Sequence, residues 1–110
     1  MKRPNILWIC TDQQRWDTLG CYGNKFVRTP NIDRLAEGGV MFSRFYTQNP
    51  VCVPSRASFL TGRYPRTNRT RRNMDSIPAE EVLVTRILAD AGYTCGLSGK
   101  LHVSIDDPET

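Results

Sequence analysis

The segment 52–63 constrains the fold of this chain more than any other stretch. It reads Cys-Val-Pro-Ser-Arg-Ala-Ser-Phe-Leu-Thr-Gly-Arg. Proline fits the first turn of a helix, where its missing N–H costs no hydrogen bond, and glycine readily ends a helix. The pattern therefore predicts a short helix with Pro54 in its first turn and Gly62 at its end. Cys52 then lies at the positive end of the helix, one turn before Arg56, so its thiol is a candidate nucleophile.

The same segment resembles the C-x-P-S-R-x-x-x-L-T-G-R signature of the type I sulfatases, and every fixed position of that signature is present. In that family a maturation enzyme oxidises the cysteine to formylglycine, an aldehyde whose hydrate is the nucleophile. The resemblance implies this modification of Cys52, contact of the modified residue with a divalent metal, and a charge-stabilising role for Arg56. From the residues alone, a structural cysteine before a surface helix stays open as the alternative.

The first apolar run, residues 6–10, is typical of a strand buried on both faces in a parallel sheet. Ligands gather at the carboxyl ends of such strands, which makes Asp12 a candidate metal ligand, although a turn-capping role is also open. A Thr-Asp-Asp or Thr-Asp-Gln step follows the first strand in the sulfatases, and its first Asp binds the metal. Asp12 and Gln13 offer only oxygen ligands, which favours calcium, with magnesium or manganese as alternatives. Gln13 in place of a second acid removes one negative charge from the site.

A second candidate site segment follows the predicted strand 93–98. Gly-Lys-Leu-His at positions 99–102 resembles the Gly-Lys-x-His segment of the sulfatases. The resemblance implies that Lys100 contacts the transferred sulfate and that His102 hydrogen-bonds the second hydroxyl of the hydrate. A lone histidine without that context is more often structural or exposed.

Three further elements are predicted from local patterns. Residues 29–39 form a helix that Thr29 caps, with Ile32, Leu35 and Ala36 on its inner face. Residues 40–46 alternate as a strand does, and a last helix begins at 77–78 and stops at Gly92.

The order strand, helix, strand, helix, helix, strand suits an α/β protein. The resemblance implies the alkaline-phosphatase-like architecture, a layered α/β sandwich with a mostly parallel sheet. Because sulfatase catalytic domains are much longer than 110 residues, we expect residues 1–110 to be the N-terminal part of one, incomplete and inactive alone. Asp12, Cys52, Lys100 and His102 are expected to meet on one side of the sheet.

Composition is ordinary for a globular protein, with 39% hydrophobic and 24% charged residues. The net charge of +4 comes from 15 Lys and Arg against 11 Asp and Glu. Much of the excess lies in one arginine cluster: Arg63, Arg66, Arg69, Arg71 and Arg72. Only Tyr64 interleaves it, so we expect a solvated surface and not a nucleic-acid site.

The cysteines and the N-terminal segment indicate the cellular location. The chain has four cysteines, without a C-x-x-C pair. Cys10 and Cys95 lie in apolar runs and are predicted to be core residues. The run 6–10 is too short for a leader or a membrane span, so the expected location is the cytoplasm, without membrane association. A leader that has been removed stays open as the alternative.

These patterns together predict a sulfuric ester hydrolase that acts on small-molecule or carbohydrate sulfate esters. Its partner in maturation would be a formylglycine-generating enzyme. Two alternatives stay open: a phosphonate monoester or phosphodiester hydrolase of the same superfamily, and an inactive basic fragment that acts as a binding module.

Overall fold

The computed structural model describes residues 3–106. The chain forms two compact units, Met1–Phe45 and Tyr46–Thr110. The helices are α1 (Pro30–Gly38), α2 (Cys52–Thr61) and α3 (Val84–Asp90), with short 3₁₀ turns at Trp16–Thr18 and Gly20–Tyr22. Within the described residues, no helix is long and apolar enough to cross a membrane.

The predicted sheet is not confirmed. No strand forms across residues 3–106, and the only β-bridge there is an isolated parallel pair, Ile77 with Ile105. The segments 6–10, 40–46 and 93–98 have the composition of strands, but a strand needs a neighbour to complete its hydrogen bonds and a second layer to cover it. Leu7 is 83% exposed, which shows that the first run lacks such a cover within the described structure.

The absence of these strands also overturns the core assignment of two cysteines. Cys10 and Cys95 are both exposed, because no sheet encloses the runs that carry them. None of the four cysteines forms a disulfide bond.

In the first unit, α1 has the predicted position, and Thr29 occupies its N-cap. The Thr29 hydroxyl does not cap the helix; it accepts the N–H of Gly20 at 2.8 Å and donates to Asp33 Oδ1 at 3.0 Å. Asp33 Oδ1 also accepts the N–H of Cys21 at 2.7 Å, which ties α1 to the second 3₁₀ turn. A Cβ at Gly20 would stand 2.6 Å from Asp33 Oδ2, so a larger residue at this position would displace the Asp33 side chain. The predicted inner face of α1 is not confirmed, because Leu35 is 68% exposed.

In the second unit, α2 is the most buried element. Val53 and Ala57, one helical turn apart, are 2% and 0% exposed, and Ile77 is also fully buried. Gly62 has φ 68° and donates its N–H to Ser58 O at 2.8 Å, which is how a glycine closes a helix without steric cost. The helix predicted from Pro54 and Gly62 is therefore confirmed at both ends.

A buried polar pair, Asn68 and Thr70, stabilises the C-terminal end of α2. Both residues are 0% exposed. Asn68 Nδ2 donates to Thr61 Oγ1 at 3.2 Å and to Arg63 O at 3.3 Å, while its Oδ1 accepts the N–H of Thr70 at 3.0 Å. Buried polar groups are stable only when bonded in this way, so the pair fixes the chain that leaves α2.

Helix α3 begins later than predicted, at Val84 instead of residues 77–78. Pro78 opens a turn, in which the Glu81 N–H donates to Pro78 O at 3.0 Å. Glu80 and Glu81 in this turn pair with Arg69 and Arg63, respectively. These ion pairs hold the segment as a turn, so the periodic pattern around it does not extend the helix.

Candidate active site

Cys52 is the first residue of α2, as predicted. Val51 precedes it with φ −89° and ψ 142°, and Val51 O accepts the Ser55 N–H at 3.0 Å to start the helix. The Cys52 side chain is half-buried and its thiol is free of any disulfide. The first-turn N–H groups and the helix dipole favour negative charge here, which suits both a nucleophile and an anionic substrate.

Side chains from two neighbouring segments hold the first turn of α2. Asn49 Oδ1 accepts the Val51 N–H at 2.8 Å, and Asn73 Oδ1 accepts the Val53 N–H at 3.1 Å. These bonds satisfy donors that the helix itself leaves unpaired. The sequence gives no signal for the Asn73 contact, because its partner lies 20 positions away.

Asn73 belongs to a turn that Asp75 organises. Asp75 Oδ2 accepts the N–H groups of Arg71 and Arg72 at 2.8 and 2.9 Å, and the Arg72 guanidinium pairs with Asp75 Oδ1 at 3.1 Å. The Arg71 N–H first, and then the Arg72 groups, hold the pKa of the Asp75 carboxyl below its ordinary value. The turn is thus stabilised by an ionised carboxylate.

Replacing Asn73 by alanine is expected to lower the free energy of unfolding by about 1 kcal/mol, because the Val53 N–H loses its acceptor. Denaturant unfolding of the protein that carries this chain measures the effect. Met74, next to Asn73 and 92% exposed, provides the control, since Met74→Ala removes a side chain without that bond. Equal stability of the two variants would show that the Asn73 bond does not support α2.

Arg56 lies on the buried side of α2 and is 6% exposed. Its Nη1 donates to the carbonyl oxygen of Lys100 at 2.6 Å, across 44 positions of sequence. Two of the predicted site segments, the 52–63 helix and the 99–102 segment, are therefore brought together by this bond. A bond from a charged guanidinium is stronger than one between neutral groups, so Arg56 fixes the backbone of the second segment.

Lys100 and His102 both expose their side chains. The backbone around them is unusual: Gly99 has φ 96° and His102 has φ 57°. A left-handed φ is uncommon for residues other than glycine and often marks functional segments. The 99–102 segment is thus a sharply turned loop that Arg56 anchors at its centre.

Asp12 and Gln13 lie in the first unit, and both are exposed. Gln13 has φ 54°, the same left-handed conformation as His102. Their donor chemistry, one carboxylate and one amide oxygen, fits a hard divalent cation. Among residues 3–106 there is no group of three or more His, Cys, Asp or Glu side chains that could hold a metal ion.

The class of the protein follows from the 52–63 signature and its structure. Cys52 begins a helix, and the buried Arg56 bonds to the Gly-Lys-x-His segment. The chain belongs to the sulfatase family, whose family model, described as Sulfatase, matches residues 4–110. Family membership implies an alkaline-phosphatase-like α/β fold, whereas residues 3–106 form three helices and no strand.

Curated relatives agree with this family. Steryl-sulfatase of Homo sapiens is 41% identical over 114 residues, covering 94% of this chain and 20% of that protein. N-acetylgalactosamine-6-sulfatase of Canis lupus familiaris is 42% identical over 113 residues, covering 91% of this chain and 22% of that protein. Arylsulfatase A of Homo sapiens is 41% identical over 112 residues, covering 93% of this chain and 21% of that protein.

The chain thus spans about a fifth of the length of the curated relatives that it matches. No solved structure shows significant similarity to it.

Proposed function

We propose that the protein carrying this chain hydrolyses sulfate monoesters through a formylglycine made from Cys52. The observation that carries the proposal is the complete 52–63 signature folded as α2, with Cys52 at its N-terminus and Arg56 buried against the 99–102 segment. Sulfatase activity of the named relatives supports the same reaction class.

In the proposed maturation, the CH₂–SH group of Cys52 is oxidised by two electrons to an aldehyde, with an external oxidant as the electron acceptor and sulfide as the leaving group. The hydrated aldehyde then supplies the nucleophile. A thiol would form a sulfated product with no way to release it, whereas a hydrate carries a second hydroxyl whose deprotonation regenerates the aldehyde and frees the sulfate. A maturation enzyme must reach the Cys52 side chain to modify it. This side chain, at the N-terminus of α2, is only half-buried and therefore accessible.

The remaining site residues stabilise charge and move a proton. Arg56 holds the 99–102 backbone through the Lys100 carbonyl, and its positive charge stabilises negative charge at position 52. The Lys100 ammonium binds the ester oxygens of the substrate. His102 accepts the proton of the second hydroxyl, as a histidine can near neutral pH.

Asp12, Gln13 and the modified Cys52 are the residues that would hold a divalent metal in the proposed site. Calcium fits this oxygen donor set first, with magnesium or manganese as alternatives. When bound, such a cation supplies positive charge to the ester oxygens. The proposed substrate is a small-molecule or carbohydrate sulfate ester, and the cytoplasmic location stays a prediction from the sequence.

Mass spectrometry of the tryptic peptide 45–56 tests the proposal directly. After co-expression with a formylglycine-generating enzyme, we expect the aldehyde at position 52 together with hydrolysis of 4-nitrophenyl sulfate. The untreated protein, with its free thiol, is the control and is expected to be inactive. A free Cys52 thiol in a fully active preparation would exclude the formylglycine mechanism, and faster hydrolysis of a phosphonate monoester would favour the alternative reaction.

A further inference from the structure

The arginine cluster divides into paired and unpaired members. Three pair with carboxylates: Arg63 with Glu81, Arg69 with Glu80, and Arg72 with Asp75. Within residues 3–106, the guanidinium groups of Arg66 and Arg71 make no ion pair or hydrogen bond. The paired arginines stabilise the second unit, whereas the guanidinium groups of Arg66 and Arg71 are available to bind an anionic ligand.

Arg66 and Arg71 face the same open groove of about 560 Å³. Its lining residues are Gln48, Asn49, Tyr64, Pro65, Arg66 and Arg71. Among the described residues 3–106, no carboxylate lines it, so none of them opposes an anion bound in the groove. Guanidinium forks match carboxylates and sulfates in a bidentate way, and the carboxamides and the Tyr64 phenol match the hydroxyls and ring faces of a sugar.

The groove lies beside the N-terminus of α2. Asn49 precedes Cys52 by three residues, so their Cα atoms are at most about 11 Å apart. Asn49 also fixes the start of the helix, through its bond to the Val51 N–H at 2.8 Å. The groove therefore lies within reach of a short carbohydrate whose ester is at Cys52.

We infer that this groove binds a second anionic group of the substrate, which makes the substrate a multiply charged carbohydrate sulfate. The inference rests on the proposed sulfatase function and deepens it from sulfate esters in general to acidic oligosaccharides. Arg66 and Arg71 are its binding residues, and Tyr64, which also lines the groove, offers a surface for a sugar ring.

Single-stranded nucleic acid fits the groove less well. Proteins that bind it stack successive bases on several aromatic rings along a basic track. Among the described residues, the groove offers one ring, Tyr64, and its other neutral lining residues are amides and a proline. A short anionic sugar needs no such series of rings.

Steady-state kinetics of the complete mature protein with two substrates test the inference. 4-Nitrophenyl sulfate carries only the ester charge, whereas a uronate-containing disaccharide monosulfate adds a carboxylate. In the double variant Arg66→Gln, Arg71→Gln, we expect kcat/KM for the disaccharide to fall about tenfold relative to kcat/KM for 4-nitrophenyl sulfate. Two exposed charge pairs contribute about this much binding energy. The loss should lie in KM and should diminish at high salt.

The matched control is the double variant Arg69→Gln, Arg86→Gln. It removes the same two charges from exposed arginines that pair with Glu80 and Asp90, away from the groove lining. We expect its substrate ratio to equal that of the wild type. An unchanged ratio in the groove variant, or an equal fall in the control, overturns the inference.

A binding assay separates this inference from the proposed function. If no sulfate ester is hydrolysed, the proposed function fails, and calorimetric titration of the disaccharide then tests the groove alone. Binding that the groove variant loses and the control keeps supports the groove. Absence of binding by the wild type overturns it, as does tighter groove-dependent binding of a single-stranded oligonucleotide.

Discussion

Replacing Cys52 by alanine is expected to abolish hydrolysis of sulfate esters without unfolding the protein. The side chain supplies the nucleophile, and loss of a nucleophile commonly lowers kcat on the order of 10⁶-fold. Its packing contribution is small, because the thiol is only half-buried and the core of the second unit is built by Val53, Ala57 and Ile77. Alanine also favours the helix.

Turnover of 4-nitrophenyl sulfate and thermal unfolding, measured on the same sample, decide this prediction. Cys95→Ala is the matched control, since Cys95 is a free and exposed cysteine elsewhere in the second unit. It should keep the wild-type rate. Substantial activity in Cys52→Ala, with normal folding, would place the nucleophile on another residue.

The helix at the site could be predicted because its ends depend on local chemistry. Pro54 fixes a helical φ and Gly62 allows the left-handed φ that ends the helix, and the structure confirms the helix between them. The predicted start of α3 was wrong because it depends on long-range contacts. Glu80 and Glu81 pair with arginines that are distant in sequence. A periodic pattern does not contain such long-range pairs.

The strands illustrate the same limit on a larger scale. Residues 6–10 carry the apolar run of a buried strand, but within residues 3–106 no sheet forms around it. A strand is defined by its partners, whereas α2 satisfies most of its hydrogen bonds within itself. Local signals therefore predicted the helix of the site correctly, but they did not predict whether the strand-like segments form a sheet within residues 3–106.

The 52–63 signature predicts which residues form the candidate site, but it does not predict the contacts that support them. The signature pointed to Arg56, but only the structure identifies the Lys100 carbonyl as its acceptor. The Asn73 contact with α2 and the division of the arginine cluster had no sequence signal at all. Each depends on which distant side chain completes a hydrogen bond or neutralises a charge.

Replacing Asp12 by alanine is expected to remove nearly all bound metal and nearly all activity. Asp12 supplies the negative charge of the Asp12–Gln13 step, and a hard cation depends on carboxylate oxygens for its affinity. Gln13→Asp is expected to tighten metal binding, because it restores a second negative charge. The backbone accepts this change, since Gln13 has φ 54°, a conformation in which aspartate is favoured over most residues.

Metal content by elemental analysis, together with calcium titration and activity, tests both variants. Gln14→Asp is the control, because it adds the same charge one position further along the exposed segment without changing the proposed ligands. If Gln14→Asp tightens calcium binding as much as Gln13→Asp, the gain is a general charge effect and Gln13 is not beside the ion. If Asp12→Ala keeps its metal and its rate, the first apolar run does not lead into the metal site, and the ligand assignment of Asp12 is wrong.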